Sequence, residues 1–213
     1  MTMDGVHGPR RRGVPWGGLP VATFVLAAAA LAAAAWPGAA ELLELDRARV
    51  AAEPWRLVTG HLVHFSAAHL GWDLVVLLAL GWVCERRWPL RTTLVLLLAI
   101  PIVPVLFLGL VPELETYRGL SGLDSTLFVL LAVGLWREGA SKAARALPAA
   151  VGLGFLAKVG FEAVTGQALF VDAAGLFEPV PLAHLVGGVL GLLVGALPSG
   201  RAGQARALVT GQP

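Results

Sequence analysis

Residues 90–110, LRTTLVLLLAIPIVPVLFLGL, decide the fold class of this chain. The only charged side chain in the stretch is that of Arg91, next to its start. Because a helix needs about 20 mostly apolar residues to cross the hydrocarbon of a bilayer, the stretch predicts a membrane span. Pro101 and Pro104 lie inside it and are expected to kink the helix.

The composition extends this prediction to the whole chain. Of its 213 residues 57% are hydrophobic and only 14% are charged, with a mean hydropathy of +0.75. A soluble domain has about 45–50% apolar and about 25% charged residues. Lipid is therefore the expected solvent, and the length allows one compact helical bundle. With one cysteine, Cys84, an internal disulfide framework and any CxxC metal or redox motif are excluded.

Five further stretches have the length of a span, so we expect one all-α bundle of six transmembrane helices. The predicted spans are residues 19–35, 67–83, 90–110, 119–136, 147–164 and 180–197. They define a membrane domain over 19–197, with an N-terminal tail over 1–18 and a C-terminal tail over 198–213. The first span, with its arginine-rich flank and alanine run, could alternatively be a signal peptide, although five later spans favour a membrane helix.

The distribution of basic residues predicts the orientation. With the N-terminus in the cytoplasm, 11 of the 16 Lys and Arg residues fall in cytoplasmic segments and 4 in outer segments, while Lys158 falls inside the fifth span. The bias alternates at every loop, which predicts that both tails are cytoplasmic. We expect a multi-pass protein of a bacterial inner membrane. The arginines at 10–12 are a topology signal in this interpretation, and no nucleic-acid partner is predicted.

Ionisable residues inside the predicted spans mark the candidate site, because each costs about 2.5–3.5 kcal/mol on insertion scales. They are His69 and Asp73 in the second span, Asp124 in the fourth, Lys158 and Glu162 in the fifth, and His184 in the sixth.

The start of the fourth span carries a candidate nucleophile. It reads Gly119-Leu120-Ser121-Gly122, and glycines beside a serine permit close approach of a neighbouring helix or a substrate backbone. Taken alone, this four-residue pattern is also explained by helix packing.

The sixth span carries a candidate base. Ala183, Gly187, Gly191 and Gly195 recur every four residues and form a ridge of small side chains where another helix can approach. His184 lies beside the ridge, on the side of Gly188. A lone histidine could merely hydrogen-bond a carbonyl, but a Ser–His pair between two glycine-faced helices meets the requirement of nucleophilic catalysis.

A third element precedes and begins the second span. His69 and Asp73 are four residues apart and share one helix face. Facing the bundle, they could donate to a developing oxyanion and orient one another; losing one such donor typically lowers the rate about 10²–10³-fold.

In this order the motifs resemble the rhomboid family of intramembrane proteases. The resemblance spans residues 19–197 and comprises six helices, Trp55-Arg56 in the first loop, a histidine-rich start of the second helix, GxSG, and His-x-x-Gly in the sixth helix. It implies Ser121 as nucleophile and His184 as general base of a dyad, with His69 and the Ser121 N–H at the oxyanion. It also implies that Trp55 and Arg56 lie at the membrane interface, and that Glu85 closes the second helix.

Two departures from the family pattern stand out. Asp73 replaces the usual asparagine, so the carboxyl is either neutral or serves to orient His69. Asp124 lies one turn after Ser121 and is interpreted as a buried hydrogen-bond partner or as a group that steers His184 or His69.

The combination of Asp73 with Lys158 and Glu162 makes the chain resemble the rhombosortase branch of the family. This branch is thought to process proteins with a C-terminal Gly-Gly tail, a hydrophobic helix and a basic end. The alternative for Lys158 and Glu162 is an interior ion pair.

Three other functions compete with this one. A zinc site could be formed by His61, His64, His69 and Asp73, but the HExxH pattern is absent. A non-catalytic scaffold that binds transmembrane clients is the main alternative. A transporter is disfavoured because no inverted repeat is visible.

The predicted reaction is peptide hydrolysis near the outer face of the membrane, without metal or other cofactor. Its partners are the lipid bilayer and transmembrane protein substrates. We expect a water-filled cavity covered by residues 165–179. The sequence leaves open the substrate, the oligomeric state, and whether the acyl group is transferred to water or to another nucleophile.

Overall fold

The computed structural model describes residues 18–113, 115–167 and 181–198. Within them the chain is a bundle of α-helices with one short β-ladder, in agreement with the predicted all-α class. The helices are α1 (Val21–Ala35), α2 (Ala39–Leu43), α3 (Arg56–Thr59), α4 (Ala67–Arg87), α5 (Pro89–Leu110), α6 (Ser121–Glu138), α7 (Lys142–Thr165) and α8 (Pro181–Ala196).

Three of these helices are long and apolar enough to cross a bilayer: α4, α5 and α7. Among the remaining described helices, α1 and α8 are apolar but only 15 and 16 residues long. Helix α6 has 18 residues and includes Asp124, Arg137 and Glu138. A helical membrane bundle is thus confirmed, whereas the count of six spans stays a prediction.

The helix ends follow local sequence signals. Ser66 and Ser141 are the N-caps of α4 and α7, and each hydroxyl accepts a hydrogen bond from the backbone N–H three residues later at 3.1 Å. Gly166 ends α7 in the left-handed conformation that glycine adopts without penalty, with φ of +67°. The Ser141 cap starts α7 at Lys142, before the predicted residue 147, while α4 starts at the predicted Ala67 and continues past residue 83 to Arg87.

Charged side chains tie the helix ends together at the predicted cytoplasmic end of the bundle. Glu85 near the end of α4 accepts hydrogen bonds from the Ala22 and Thr23 backbone N–H groups at 2.9 and 3.0 Å, and so caps the N-terminus of α1. Arg91 donates to the Leu197 carbonyl just beyond α8 at 2.7 Å. Because the starts of α1 and α5 and the ends of α4 and α8 meet here, these helices alternate in direction along the bundle. That this end is cytoplasmic stays a prediction.

The opposite end of the bundle is organised by the first loop, residues 36–66. Its strand β1 (Leu45–Asp46) pairs antiparallel with β2 (Thr116–Tyr117), which leads into α6. Gly60, in a 3-10 turn, lies so close to β1 that a Cβ would come within 2.9 Å of the Leu45 backbone nitrogen. The first loop is therefore attached to the segment that immediately precedes Ser121.

Glycines on α8 allow it to pack tightly against α6. A Cβ on Gly187 would overlap the carbonyl oxygen of Gly122, and one on Gly191 would overlap that of Thr126. Backbone approaches backbone along this contact, as the spacing of small residues predicts. Leucines 123, 127 and 130 of α6 are buried in the core beside it.

Candidate functional site

Ser121 is the first residue of α6 and lies at the end of a tight turn. The predicted span begins at Gly119, but the structure corrects this: Gly119 has φ of +117°, which is incompatible with helix and rare for any residue with a side chain. A Cβ there would also come within 2.9 Å of Cε1 of His69. Gly119 therefore serves both the backbone turn and the close approach of the His69 ring.

The turn before Ser121 is held by hydrogen bonds from three directions. The Gly119 N–H donates to the Gly60 carbonyl at 3.1 Å, and the Tyr117 hydroxyl donates to the Gly119 carbonyl at 3.2 Å. The Leu120 N–H donates to Oδ2 of Asp73 on α4 at 2.9 Å. These bonds fix the position from which Ser121 starts α6.

The N-terminus of α6 offers backbone donors beside Ser121. The N-cap residue, Leu120, provides no side-chain cap, and the intrahelical ladder starts with the bond from the Asp124 N–H to the Leu120 carbonyl. By helix geometry, the N–H groups of Ser121 and Gly122 have no carbonyl one turn earlier in the helix. A helix N-terminus of this kind stabilises negative charge.

His184 lies on the first turn of α8, at the level of Ser121. Gly122, next to Ser121, approaches Ala183, next to His184: a Cβ on Gly122 would be 3.5 Å from the Ala183 carbonyl oxygen. His184 is buried and Ser121 is half-buried. Within the described residues no hydrogen bond joins the Ser121 hydroxyl to His184. Such nucleophile–base bonds are often long in free enzymes and shorten when substrate binds.

Glu162 and Lys158 of α7 reach the same histidine. Glu162 Oε2 lies 2.9 Å from His184 Nδ1, and Lys158 Nζ donates to that oxygen at 2.8 Å. The sequence predicts an interior Lys–Glu ion pair from the four-residue spacing, and this pair is present. What the sequence analysis missed is its third member, because spacing within α7 does not reveal which neighbouring helix the pair faces.

Asp73 also has two histidines close to the oxygen that accepts from the Leu120 N–H. Its Oδ2 lies 3.2 Å from His64 Nε2 and 3.4 Å from His69 Nε2. The Leu120 N–H donates to this oxygen and two imidazole nitrogens lie within ion-pair distance of it, an arrangement that suits a carboxylate orienting His69. If His69 donates the hydrogen on Nε2 to Asp73, Nδ1 is the only ring nitrogen left to stabilise an oxyanion. Nδ1 carries a hydrogen at the same time as Nε2 only when the ring is positively charged.

Asp124 is buried near the start of α6. In the described part of the chain its Oδ1 has no hydrogen-bond partner, and its side chain makes no hydrogen bond with His184 or His69. The roles suggested for Asp124 by the sequence stay predictions.

Trp55 and Arg56, the pair in the first loop, lie in different environments. Trp55 is half exposed, as expected of an interfacial aromatic residue. Arg56 instead is 1% exposed; it pairs with Glu53 at 2.6 Å and donates to the carbonyls of Glu41 and Glu44 at 3.0 and 2.8 Å. Arg56 thus holds the first loop together from inside.

His61 connects the first loop to α5. Pro104 has no N–H to give to the Ile100 carbonyl, and His61 Nε2 lies 2.9 Å from that oxygen instead. Burial lowers the pKa of His61 below its ordinary value of 6.5. Its Nδ1 lies 3.3 Å from the Gly119 carbonyl oxygen, so both ring nitrogens face backbone carbonyls. Among the described residues, no three His, Cys, Asp or Glu side chains are arranged to hold a metal ion.

Gly188 of α8 lies closest to α7 and also contacts α6, where a Cβ would be 3.4 Å from Cγ2 of Val129. A Cβ on Gly188 would lie 2.7 Å from Cε1 of Phe155, so the glycine lets α7 approach α8 on the side that also presents His184. The predicted roof is described only over residues 165–167; residues 168–179 lie outside the described part of the chain.

Comparison with known proteins identifies the family. A family model for the rhomboid domain matches residues 51–201, which is more than half of the chain. No curated protein matches the chain. The match covers the first-loop pair, the GxSG turn and the His184 helix, and the rhombosortase branch is not distinguished by it. The chain therefore belongs to the rhomboid family, whose members are in general intramembrane serine proteases.

Proposed function

We propose that this protein is an intramembrane serine endopeptidase in which Ser121 and His184 form the catalytic dyad. The observation that carries the proposal is the packing of α6 on α8: the backbones touch at Gly122 and Gly187, one and three residues beyond the two dyad members. A serine hydroxyl at the N-terminus of one helix and an imidazole on the abutting turn of the next can share a proton after a small side-chain rotation.

The reaction follows from these positions. Ser121 Oγ attacks the substrate carbonyl carbon while His184 Nε2 takes the hydroxyl proton. The resulting oxyanion is stabilised by backbone N–H groups at the start of α6, and His184 then protonates the leaving amine. Water attacks the acyl-enzyme in a second step with His184 again as base. The step needs no cofactor.

His69 and Asp73 support this site in the proposal. Asp73 holds the Leu120 N–H and so keeps the turn before Ser121 in place. The His69 ring lies against Gly119 and fills the space next to that turn. Both residues belong to α4, so cleavage takes place where α4, α6 and α8 meet.

The substrates we propose are transmembrane or C-terminally anchored proteins, in the inner membrane of a bacterium. The site lies at the end of the bundle opposite the contacts of Glu85 and Arg91, and so opposite the end that the charge pattern predicts to be cytoplasmic. An aspartate at position 73 and the Lys158–Glu162 pair support a rhombosortase-like preference for Gly-Gly sorting tails followed by a hydrophobic helix and a basic end.

Cleavage by purified protein in proteoliposomes tests the function. Two model substrates are compared: a Gly-Gly sorting tail with its hydrophobic helix, and the same helix with the Gly-Gly replaced by Val-Val. We expect cleavage of the first substrate, loss of activity in Ser121→Ala, and a free carboxyl terminus on the product by mass spectrometry. Ser125→Ala is the matched control, since its hydroxyl donates to the Ser121 carbonyl at 2.8 Å one turn along α6.

The outcomes separate the alternatives. Activity that survives in Ser121→Ala contradicts the dyad. A product joined to an added amine instead of water indicates acyl transfer. Equal cleavage of both substrates removes the sorting-tail preference and leaves a generalist protease. Substrate binding without cleavage, unchanged by Ser121→Ala, supports the non-catalytic scaffold.

A further inference from the structure

We propose that Glu162 is a positioning residue for His184, so that the site works as a Ser121–His184–Glu162 triad rather than as a dyad; this rests on the proposed function. Glu162 lies on α7, a helix that contributes neither member of the dyad.

The contact is short and buried. Glu162 Oε2 and His184 Nδ1 are 2.9 Å apart, and the two side chains are 2% and 11% exposed. Burial of a carboxylate is unfavourable unless it is paired and hydrogen-bonded, and here one oxygen serves both His184 and Lys158. A group held in this way has a fixed orientation toward the imidazole.

The contact determines which nitrogen of His184 carries the proton. A carboxylate oxygen can only accept, so a hydrogen bond at Nδ1 requires the proton there and leaves Nε2 with its lone pair. Lys158 Nζ also lies 3.3 Å from Nδ1, and as a donor it would favour the opposite tautomer. The Glu162 contact is the shorter one, and Lys158 itself donates to Glu162 at 2.8 Å. The favoured tautomer is the one in which Nε2 can take a proton from Ser121.

Glu162 also acts after proton transfer. When the Ser121 proton moves to Nε2, His184 becomes a cation in a buried site, and the carboxylate 2.9 Å from Nδ1 stabilises it without taking the second proton. Lys158 neutralises Glu162 while His184 is uncharged, which makes the buried carboxylate tolerable in the resting state.

The competing explanation is a purely structural role, in which the Lys158–Glu162–His184 cluster only holds α7 against α8. The two roles differ in what they predict for catalysis. A structural link changes stability and the active fraction, whereas a positioning residue changes kcat through His184 and nothing else.

The test measures kcat, KM and thermal unfolding of full-length protein in detergent for Glu162→Gln and Glu162→Asp. For Glu162→Gln we expect kcat to fall about 10²–10⁴-fold, because the amide can present its NH₂ to Nδ1 and stabilise the wrong tautomer. KM should stay within about threefold, since substrate binding is not altered. Glu162→Asp keeps the carboxylate and should recover part of kcat.

Glu85→Gln is the matched control. It neutralises another hydrogen-bonded carboxylate, at the opposite end of the bundle against Thr23, and should leave kcat unchanged. If Glu162→Gln and Glu85→Gln lower the unfolding temperature alike but only the first lowers kcat, the structural role is insufficient.

A double-mutant cycle completes the test. If Glu162 acts through His184, adding Glu162→Gln to His184→Ala lowers the residual rate no further. The rate of Ser121 labelling by a fluorophosphonate gives a second readout that needs no peptide substrate, and it should fall in Glu162→Gln as in His184→Ala.

Unchanged kcat and labelling in Glu162→Gln, with Ser121→Ala inactive, would overturn the triad and leave a working dyad. The triad would also be overturned if the double variant, with Glu162→Gln and His184→Ala, loses activity by a factor equal to the product of the two single-variant losses. Wild-type protein that neither cleaves nor labels contradicts the proposed function itself, so the two failures are distinguishable.

Discussion

The carboxylate of Asp73 accepts a hydrogen bond from the backbone N–H of Leu120 at 2.9 Å, joining α4 to the residue that precedes Ser121. This bond makes the position of Ser121, the proposed nucleophile, depend on a side chain 47 residues before Leu120. The same oxygen also neighbours His64 and His69, so one carboxylate organises both the turn and the histidines beside it.

Substitutions at Asp73 should separate its acceptor role from its charge. In Asp73→Asn, Oδ1 can still accept from Leu120, so we expect a folded protein and a loss in kcat/KM below about tenfold. In Asp73→Leu the buried Leu120 N–H loses its partner, which costs about 1–3 kcal/mol and displaces Ser121, so activity should fall more than about 10²-fold. For each variant, cleavage rates measure the loss of activity and thermal unfolding measures the loss of stability. Equal losses in the two variants would show that the charge, not the acceptor oxygen, is what matters.

Gly119→Ala should damage the site through the backbone. A residue with a Cβ at φ of +117° is strained by about 1–3 kcal/mol, and the Cβ would press on the His69 ring. We expect lower stability and strongly reduced cleavage. Gly109→Ala, at an exposed helical position with nothing within 4 Å of the added Cβ, is the control and should be neutral or slightly stabilising. A fully active Gly119→Ala variant would mean that the turn is not required for catalysis.

Gly187→Ala should separate α6 from α8. The added methyl group overlaps the Gly122 carbonyl, and overpacking of this kind costs about 1–3 kcal/mol. Because the contact sets the spacing of Ser121 and His184, activity should fall further than stability does. Gly154→Ala on α7, which meets no neighbour, provides the comparison in the same unfolding and cleavage assays. Parallel decreases in activity and folded fraction would argue that packing alone is affected.

His61 should make stability depend on pH. Its pKa is lowered by burial from 6.5, so the folded protein binds fewer protons than the unfolded chain below that pH. The stabilisation is therefore complete above pH about 6.5 and is lost as the pH falls toward the folded-state pKa. Unfolding temperatures of wild type should decrease from pH 7.5 to 5.5.

His61→Gln provides the matched comparison, since the glutamine NH₂ can still donate to the Ile100 carbonyl. We expect it to be less stable at pH 7.5 by about 1 kcal/mol and to lose less stability on acidification. Identical pH profiles for the two proteins would assign the dependence to other histidines.

Local patterns predicted part of the packing around Ser121 and His184. The GxSG sequence indicated a close approach beside Ser121, and the spacing of Gly187 and Gly191 indicated which face of α8 packs closely. These features depend on neighbours in sequence, which is why a pattern can reveal them. The predicted start of α6, at Gly119, is two residues early, because hydropathy carries no information about the φ of +117° that Gly119 adopts.

Contacts between distant segments could not be derived in this way. Nothing in the sequence shows that Glu162 meets His184, that Arg56 is enclosed by the first loop, or that His61 bonds the carbonyl left free by Pro104. Each of these depends on the rotation of one helix or loop about its own axis relative to another. That rotation is selected by the packing of many side chains together.

The sequence by itself determined that this chain is a helical membrane protein, because the length and apolarity of its helices are local quantities that lipid imposes. It also determined the small residues that let α6 and α8 approach. Only the tertiary structure decided which polar side chains share a buried oxygen, since partners from α4, α6, α7 and α8 are brought together by packing across the bundle rather than by proximity along the chain.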